Sequence, residues 1–390
     1  MSRTISKNGF NVPSHQLGSE WYPSKTESVI IPSSSLPAFG AYFTIDYKEL
    51  GTIIHDATIQ FNYSALTGTT VTNFIPAYFH PQRIEFVQNG NVLSTNYPTE
   101  QFILNNLFKT DEERKMSNQG AGLYDSSSQR ITMAGSASSY YLDLFAYFQM
   151  CGGIPVLENT HQIQIRIYMN NLVDITAPAG APIATINSVN LIAKITRLRS
   201  SEVDQKKMEI MKRPQHYKFN ELRFMSSIIP TSTTSTTVVL TGITGRVGML
   251  FFVIRSAASL ANAGFFAFNA ISSYSILDSS STNISGGQDI PNAVALTILP
   301  RDWIESSYLC ETALGATNNS ANVYVYSFAT DPANLMKYGI SSGHWNFTGN
   351  EQLKINFASA TGSASTLEVY AYGESVIEVG RNSVNKKNFQ

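Results

Sequence analysis

Charge is what this 390-residue sequence has least of. Only 14% of its residues are Asp, Glu, Lys or Arg, against about 25% in an ordinary globular chain. Lys+Arg of 27 against Asp+Glu of 28 leaves a net charge of -1, so no global field draws the folded body to nucleic acid or to an anionic bilayer. Cysteine is almost missing. Cys151 and Cys310 stand far apart, each beside a bulky apolar stretch, and read as two buried free thiols rather than a staple. No run of about 18 apolar residues occurs, which excludes a spanning helix. The opening "MSRTISKNGFNVPSHQLGSEW" holds no apolar core of about seven residues. A secretory signal is therefore not expected, and synthesis in the cell interior is.

Clustered chemistry is lacking too. His15, His55, His80, His161, His216 and His344 are scattered singly, with no partner at metal-ligand spacing. Each is expected in a structural role, His161 as a strand-edge residue. Cys151 in "FQMCGGIPVLENTH" precedes His161, but Phe148, Met150 and Ile154 around it suit packing better than a reactive thiolate. "GITGRVG" reads as a turn between strands, and Glu112 and Glu113 as a solvated helix end. No catalytic, cofactor-binding or metal-binding residue is assigned, no cofactor is expected, and an enzyme is not expected. The short basic pieces are Arg3 and Lys7, Lys206 and Lys207, and Lys386 and Lys387. They leave only the termini as candidates for touching an anionic surface.

What the chain has in quantity is strict alternation. In "ATIQFNY" (57 to 63) Ala57, Ile59, Phe61 and Tyr63 share one face. "HQIQIRIYM" sets Ile163, Ile165 and Ile167 against Gln162, Gln164 and Arg166, and "EQLKINF" sets Leu353, Ile355 and Phe357 against Gln352, Lys354 and Asn356. Period two of this kind means half-buried strands, and the Ser/Thr/Gly stretches between them mean turns. The class is all-β, a sandwich. Within it "RIEFVQNGNVLSTNY" (83 to 97) reads as a hairpin turning at Asn89 and Gly90, where both central residues need φ > 0. A plain two-residue turn sets Val87 opposite Val92, Phe86 opposite Leu93 and Ile84 opposite Thr95.

One segment departs from this style. In "RSSEVDQKKMEIMKRPQH" (199 to 216) eight of eighteen residues are charged. Ser201 with Asp204 resembles a capping box, Lys212 and Arg213 precede Pro214, and Val203, Ile210 and Met211 make a thin apolar stripe. This is a linker helix near the midpoint. On either side of it similar pieces recur in the same order: "GTIIHDATIQFNYSA" and "GRVGMLFFVIRSAAS", "PTEQFILNNLF" and "PRDWIESSYL", "HQIQIRIYM" and "EQLKINFAS", "SVNLIAKITRL" and "TLEVYAYGESVIEV". Four matches in order favour two copies of one fold.

The ordered pieces resemble the double jelly-roll major capsid proteins of icosahedral viruses, the group of tailless membrane-containing phages, virophages and large DNA viruses. The resemblance rests on "FIPAYFHPQRIEFVQNGNVLSTNYPTEQFI" and "LFAYFQMCGGIPVLENTHQIQIRIYMNN" in the first half. In the second half it rests on "GRVGMLFFVIRS", "GHWNFTGNEQLKINF" and "LEVYAYGESVIEVGRN". It implies two eight-stranded jelly rolls in tandem, joined by the linker helix. The parts are an N-terminal arm (1–27), a first jelly roll (28–200), the helix (201–213), a second jelly roll (214–382) and a C-terminal tail (383–390).

The resemblance further implies a structural subunit of the virion, made inside the host cell. Three copies would form a pseudo-hexameric homotrimeric capsomer that meets neighbouring capsomers, penton and minor capsid proteins. The arm would face an internal membrane, and the folded body would bind no specific nucleic acid. The alternative is a carbohydrate- or receptor-binding, spike-like jelly-roll module, for which "SGHWNFTGN" around Trp345 is the nearest signal; Trp345 is expected to be buried at a strand start.

Overall fold

The computed structural model describes residues 5–7, 10–12, 25–68, 73–123, 127–177, 181–256, 268–297, 299, 322–331 and 342–388. The main sheets of the first half are built from β1 (Lys25–Pro32), β2 (Tyr42–Tyr47), β3 (Thr52–Tyr63), β4 (Pro81–Gln88), β5 (Asn91–Asn96), β6 (Ser138–Asp143), β7 (Ile154–Val156), β8 (Ile163–Met169) and β9 (Ile186–Arg197). They form two antiparallel sheets, one in the order β7-β3-β9-β1 with β6 also on β3, the other β2-β8-β4-β5. The second half repeats the plan with β10 (Gln215–Ile229), β11 (Ser235–Val239), β12 (Thr244–Ser256), β13 (Ser273–Leu277), β14 (Ile290–Pro291), β15 (Tyr324–Ser327), β16 (Trp345–Thr348), β17 (Gln352–Asn356) and β18 (Ser365–Gly380). Their orders are β15-β12-β18-β10 and β11-β17-β13-β14.

The two orders match strand for strand, which is a jelly roll made twice. β3 and β12, β8 and β17, and β9 and β18 occupy equivalent places, as the paired sequence segments imply. The fourth pair cannot be compared, because "PRDWIESSYL" lies outside the described residues.

Alternation is carried out as the residue pattern requires. Ile163, Ile165, Ile167 and Met169 of β8 are buried while the residues between them are half-buried. In β3 the pairing with β9 skips His55, and this bulge resets the phase so that both Ile54 and Ala57 face inward. The β4–β5 hairpin turns at Asn89 (φ 49°) and Gly90 (φ 78°) and pairs Val87 with Val92 as expected. Beyond that the register differs. A bulge inserts Leu93, so Phe86 faces Ser94 and Ile84 faces Asn96. The extra residue lets Leu93 bury its side chain fully while the strand bends toward the helix that follows.

The first half also carries the helices α1 (Pro98–Leu107), α2 (Asp111–Gly120), α3 (Ser127–Ala134) and α4 (Tyr147–Met150), and the linker helix, α5, runs Ser200–Lys212. Its start differs from the expected Ser201–Asp204 box: Glu202 Oε2 accepts the Arg199 backbone N–H at 2.8 Å. Of the expected stripe only Ile210 is fully buried, Val203 is half-buried against the core, and Met211 is 55% exposed. The expected tail is largely a strand, β19 (Ser383–Asn388), antiparallel to the end of β18. Most of the expected arm lies outside the described residues, apart from a short hairpin of Ile5–Lys7 on Phe10–Val12 and the first residues of β1.

The sheet β15-β12-β18-β10 is buried on both faces. Leu250, Phe252 and Ile254 of β12 and Leu367, Val369 and Ala371 of β18 face Tyr274, Ile276, Leu353 and Ile355 of the sheet opposite. Met249, Phe251, Val253, Tyr370, Tyr372, Ile377 and Val379 face the other way and join the core of the first roll. That is why "VGMLFFVI" is one unbroken apolar run instead of an alternation: a strand covered on both sides has no polar face to encode.

Candidate functional site: the seam between the rolls

Three short elements of the first roll cover this second face. They are α1 (Pro98–Leu107), which follows the β4–β5 hairpin, the single turn Tyr147–Met150, and the 3₁₀ turn Asn159–His161. Helix α1 starts where it does because Pro98 fits a first turn and Glu100 Oε2 accepts the Tyr97 backbone N–H at 2.8 Å.

The middle of the seam is aromatic. The Tyr97 ring stacks on Phe224 of β10 with centroids 4.2 Å apart, Phe224 packs on Tyr370 at 5.1 Å, and Tyr370 stacks on Phe251 at 5.0 Å. Tyr147 meets Phe219 edge-on at 6.0 Å. Such ring pairs contribute beyond the area they bury, about 0.5–1.5 kcal/mol each. Around this centre runs a set of directed bonds. His161 Nε2 donates to the Gly380 carbonyl at 2.8 Å, Asn91 Nδ2 donates to the Val384 carbonyl at 3.4 Å, and the Cys151 thiol donates to the Lys218 carbonyl at 3.1 Å. Lys207 of α5 pairs with Glu158 at 3.3 Å, tying the linker to the first roll. An apolar centre inside a polar rim is the anatomy of a permanent interface.

Glu100 and His161 are the buried carboxyl and imidazole of the seam and its rim. Glu100 is fully buried, and burial pushes its carboxyl up to about 7 against the hydrogen bonds from Tyr372, Tyr97 and Gln101 that favour the carboxylate. His161 is 1% exposed and burial lowers its pKa. Its Nδ1 faces the Leu157 N–H at 3.4 Å, so both ring nitrogens are committed, and no base is offered to Cys151. Burial also raises the Cys151 thiol, opposite to the shift a nucleophile needs.

The remaining sequence candidates are dispersed. His80 is sealed in the first roll, bonded to the Tyr63 hydroxyl and the Ile75 carbonyl, each at 2.8 Å. His55 bonds Thr196 Oγ1 at 2.9 Å, His216 faces Glu378 at 3.2 Å, and His344 is exposed. His15 and Cys310 lie outside the described residues. Among the described residues no group of three His, Cys, Asp or Glu side chains could hold a metal ion. Glu113 closes a capping box with Thr110 at the start of the helix Asp111–Gly120. Lys386 is no free tail base, since it pairs with Glu221. Trp345 opens β16 as expected but is 38% exposed, not buried. Phe347 takes the inward place, and Trp345 lies at the strand's open end, its ring 6.3 Å from Phe328. The seam itself was missed from sequence: its partners lie hundreds of residues apart, and only the unbroken apolar runs of β12 and β18 hinted at a second cover.

By sequence, no family model matches this chain and no curated protein matches it. By fold it is similar to VP54 of PBCV-1, fitted into a reconstruction of the virophage Sputnik, with a TM-score of 0.67 at 18% identity over 95% of this chain and 98% of that one. The Faustovirus major capsid protein superposes with a TM-score of 0.68 at 10% identity over 93% of this chain and 92% of that one. The mavirus major capsid protein gives 0.54 at 10% identity over 100% and 96%. These are double jelly rolls, and the likeness over almost the whole of each chain establishes that fold here.

Proposed function

We propose that this chain is a viral major capsid protein, a structural and non-enzymatic subunit whose homotrimer forms a pseudo-hexameric capsomer of an icosahedral shell. The observation that carries the reading is the duplication itself. Two rolls of identical strand order are held side by side by a seam with an apolar centre, so three chains present six similar rolls and a threefold object fits sixfold surroundings. The fold shared with capsid proteins of PBCV-1, Faustovirus and mavirus supports it.

So does an asymmetry between the halves. In the second roll the outer face of β15-β12-β18-β10 is covered by the first roll. The equivalent face of β7-β3-β9-β1 carries instead a level polar network: Asn190 to Gln60 at 2.9 Å, Asn62 to Ser188 at 2.8 Å, and Ser139 to Asn62 at 2.6 Å. A low-charge polar surface of this kind suits a wet contact that forms reversibly during assembly.

On this reading residues 28–200 and 214–382 are the two capsid rolls, 201–213 the link, and 1–27 an arm reaching toward an internal membrane. Neighbouring capsomers, penton and minor capsid proteins are the partners. The virion is the place of action, after synthesis inside the host cell. A second reading, a carbohydrate- or receptor-binding module, draws on the exposed Trp345 beside the exposed Asn346.

Light scattering on the purified protein, with negative-stain imaging of the same peak, tests the two against each other. A mass of about 129 kDa, three times 42.9 kDa, with hexagonal outlines is expected. A stable monomer of 42.9 kDa that binds glycans on an array and never assembles would overturn the capsid reading in favour of the second.

A further inference from the structure

The seam contains a carboxyl group with no ionic partner among the described residues. Glu100 is 1% exposed, and the groups hydrogen-bonded to it among the described residues are all neutral. Tyr372 of β18 donates its phenol to Oε1, Gln101 Nε2 lies 3.1 Å and Asn96 Nδ2 3.4 Å from the same oxygen, and the Tyr97 N–H lies 2.8 Å from Oε2. The charged groups nearby are spoken for. Arg83 of β4 pairs with Glu85, Arg223 of β10 donates to the Arg246 carbonyl and faces Glu221, Lys386 of β19 pairs with Glu221, and Arg255 of β12 pairs with Glu368. Tyr370, next to Tyr372 on the same face, gives its hydroxyl to Glu368. A carboxylate at this position would be a buried negative charge held only by neutral donors, and those bonds offset only part of the cost of taking it out of water.

We propose that Glu100 is a protonation latch of the seam: the two rolls are clamped while it carries a proton, and the clamp loosens when the proton leaves. The proposal concerns the contact within one chain and stands whether or not that chain builds a shell.

The sign follows from the two states. Burial holds Glu100 at about 7, whereas with the seam opened to water it returns to its ordinary 4.5. The closed seam therefore binds a proton that the open one releases. Its full contribution is present below pH 4.5, declines as pH rises, and is gone above about 7. His161 at the rim works in the opposite sense. Its buried ring is held neutral, so its contribution is present above 6.5 and falls away in acid. The Glu100 effect is consequently read as a difference between variants, not from the wild-type profile alone.

The test is urea unfolding of the full chain from pH 5 to 8, wild type beside Glu100→Gln, which keeps the size and removes the charge. The ratio of the variant's folding constant to that of the wild type is expected to rise with pH by on the order of a hundredfold, since each pH unit across the window is up to tenfold. A ratio that stays constant across this range would overturn the proposal. Tyr372→Phe keeps the ring but removes the phenol that stabilises the carboxylate, so it moves the wild-type transition to higher pH; an unmoved transition counts against the latch even if Glu100→Gln fails to fold. Infrared difference spectra supply the direct signature. A protonated carboxyl band should be lost between pH 6 and 8 in the wild type and be absent from Glu100→Gln, and its persistence in Glu100→Gln would assign the proton elsewhere.

Discussion

His161 and Gly380 lie 219 positions apart in the chain and 2.8 Å apart in space, joined by a hydrogen bond from the ring Nε2 to the carbonyl. The bond ties the turn before β8 to the last residue of β18. Because the carbonyl can only accept, it also fixes the imidazole tautomer and leaves Nδ1 to accept from Leu157.

His161→Ala should therefore orphan two buried backbone groups at once. A loss of about 2–4 kcal/mol is expected, since each unsatisfied group costs roughly 1–3 kcal/mol. Urea unfolding at pH 7.5, where the ring is neutral in both states, measures it. A loss below about 1 kcal/mol would mean that water reaches the rim of the seam and replaces both bonds.

His80 sets the acid limit of the first roll. Burial lowers it from 6.5 to about 4, so it folds neutral and its contribution, complete above pH 6.5, drains away as pH falls toward 4. Over that span about 3 kcal/mol is at stake, at roughly 1.4 kcal/mol per pH unit. Melting temperatures from pH 4 to 7 should fall steeply for the wild type and more gently for His80→Gln.

Cys151 should be silent in the native protein. In a Cys310→Ser background a thiol reagent is expected to react only as the chain unfolds, because the raised thiol yields almost no thiolate and donates to Lys218. Rapid labelling of the folded protein would show that the seam opens at Cys151 without unfolding.

Two glycines separate strain from collision. Gly90 has φ 78° and open space where a Cβ would sit, so Gly90→Ala should cost only about 1–2 kcal/mol for the left-handed backbone. At Gly373, opposite the bulge between Val247 and Met249, a Cβ would collide with the Arg246 carbonyl oxygen. Gly373→Ala must push β12 and β18 apart, and a loss of more than about 3 kcal/mol in urea unfolding is expected.

Cleavage within α5, at Lys206 or Lys212, should leave the halves associated. Native size exclusion after limited proteolysis is expected to give one peak that separates into two fragments only in denaturant. Separation without denaturant would mean that the aromatic stack from Tyr97 to Phe251 holds less than its packing implies.

Local patterns carried much of this fold into the sequence. Ile163, Ile165 and Ile167 alternate because one side of β8 is covered and the other half-wet, and Asn89-Gly90 declares its turn because few residues tolerate that backbone. Where a feature depends on distant partners the letters are mute. The inserted Leu93 is set by what it packs under, not by the turn. The choice of Glu202 over Asp204 at the start of α5 is a shift of one or two residues that composition does not resolve. Glu100 reads as an ordinary carboxylate in the first turn of a helix, and only the arrival of Tyr372, 272 positions later, turns it into part of a seam. Trp345 departs from its pattern for a related reason: alternation says which way a ring points, not where its cover ends.

The shared sheet also sets an order of events during synthesis. The flank of the first roll that carries Tyr97, Glu100 and Tyr147 is made long before β18, which must cover it. At about 5–20 residues per second the ribosome leaves that flank bare for roughly fifteen seconds to a minute. A newborn first half is thus a sticky intermediate, and a chain stopped short of β18 is an aggregation hazard instead of half a working protein.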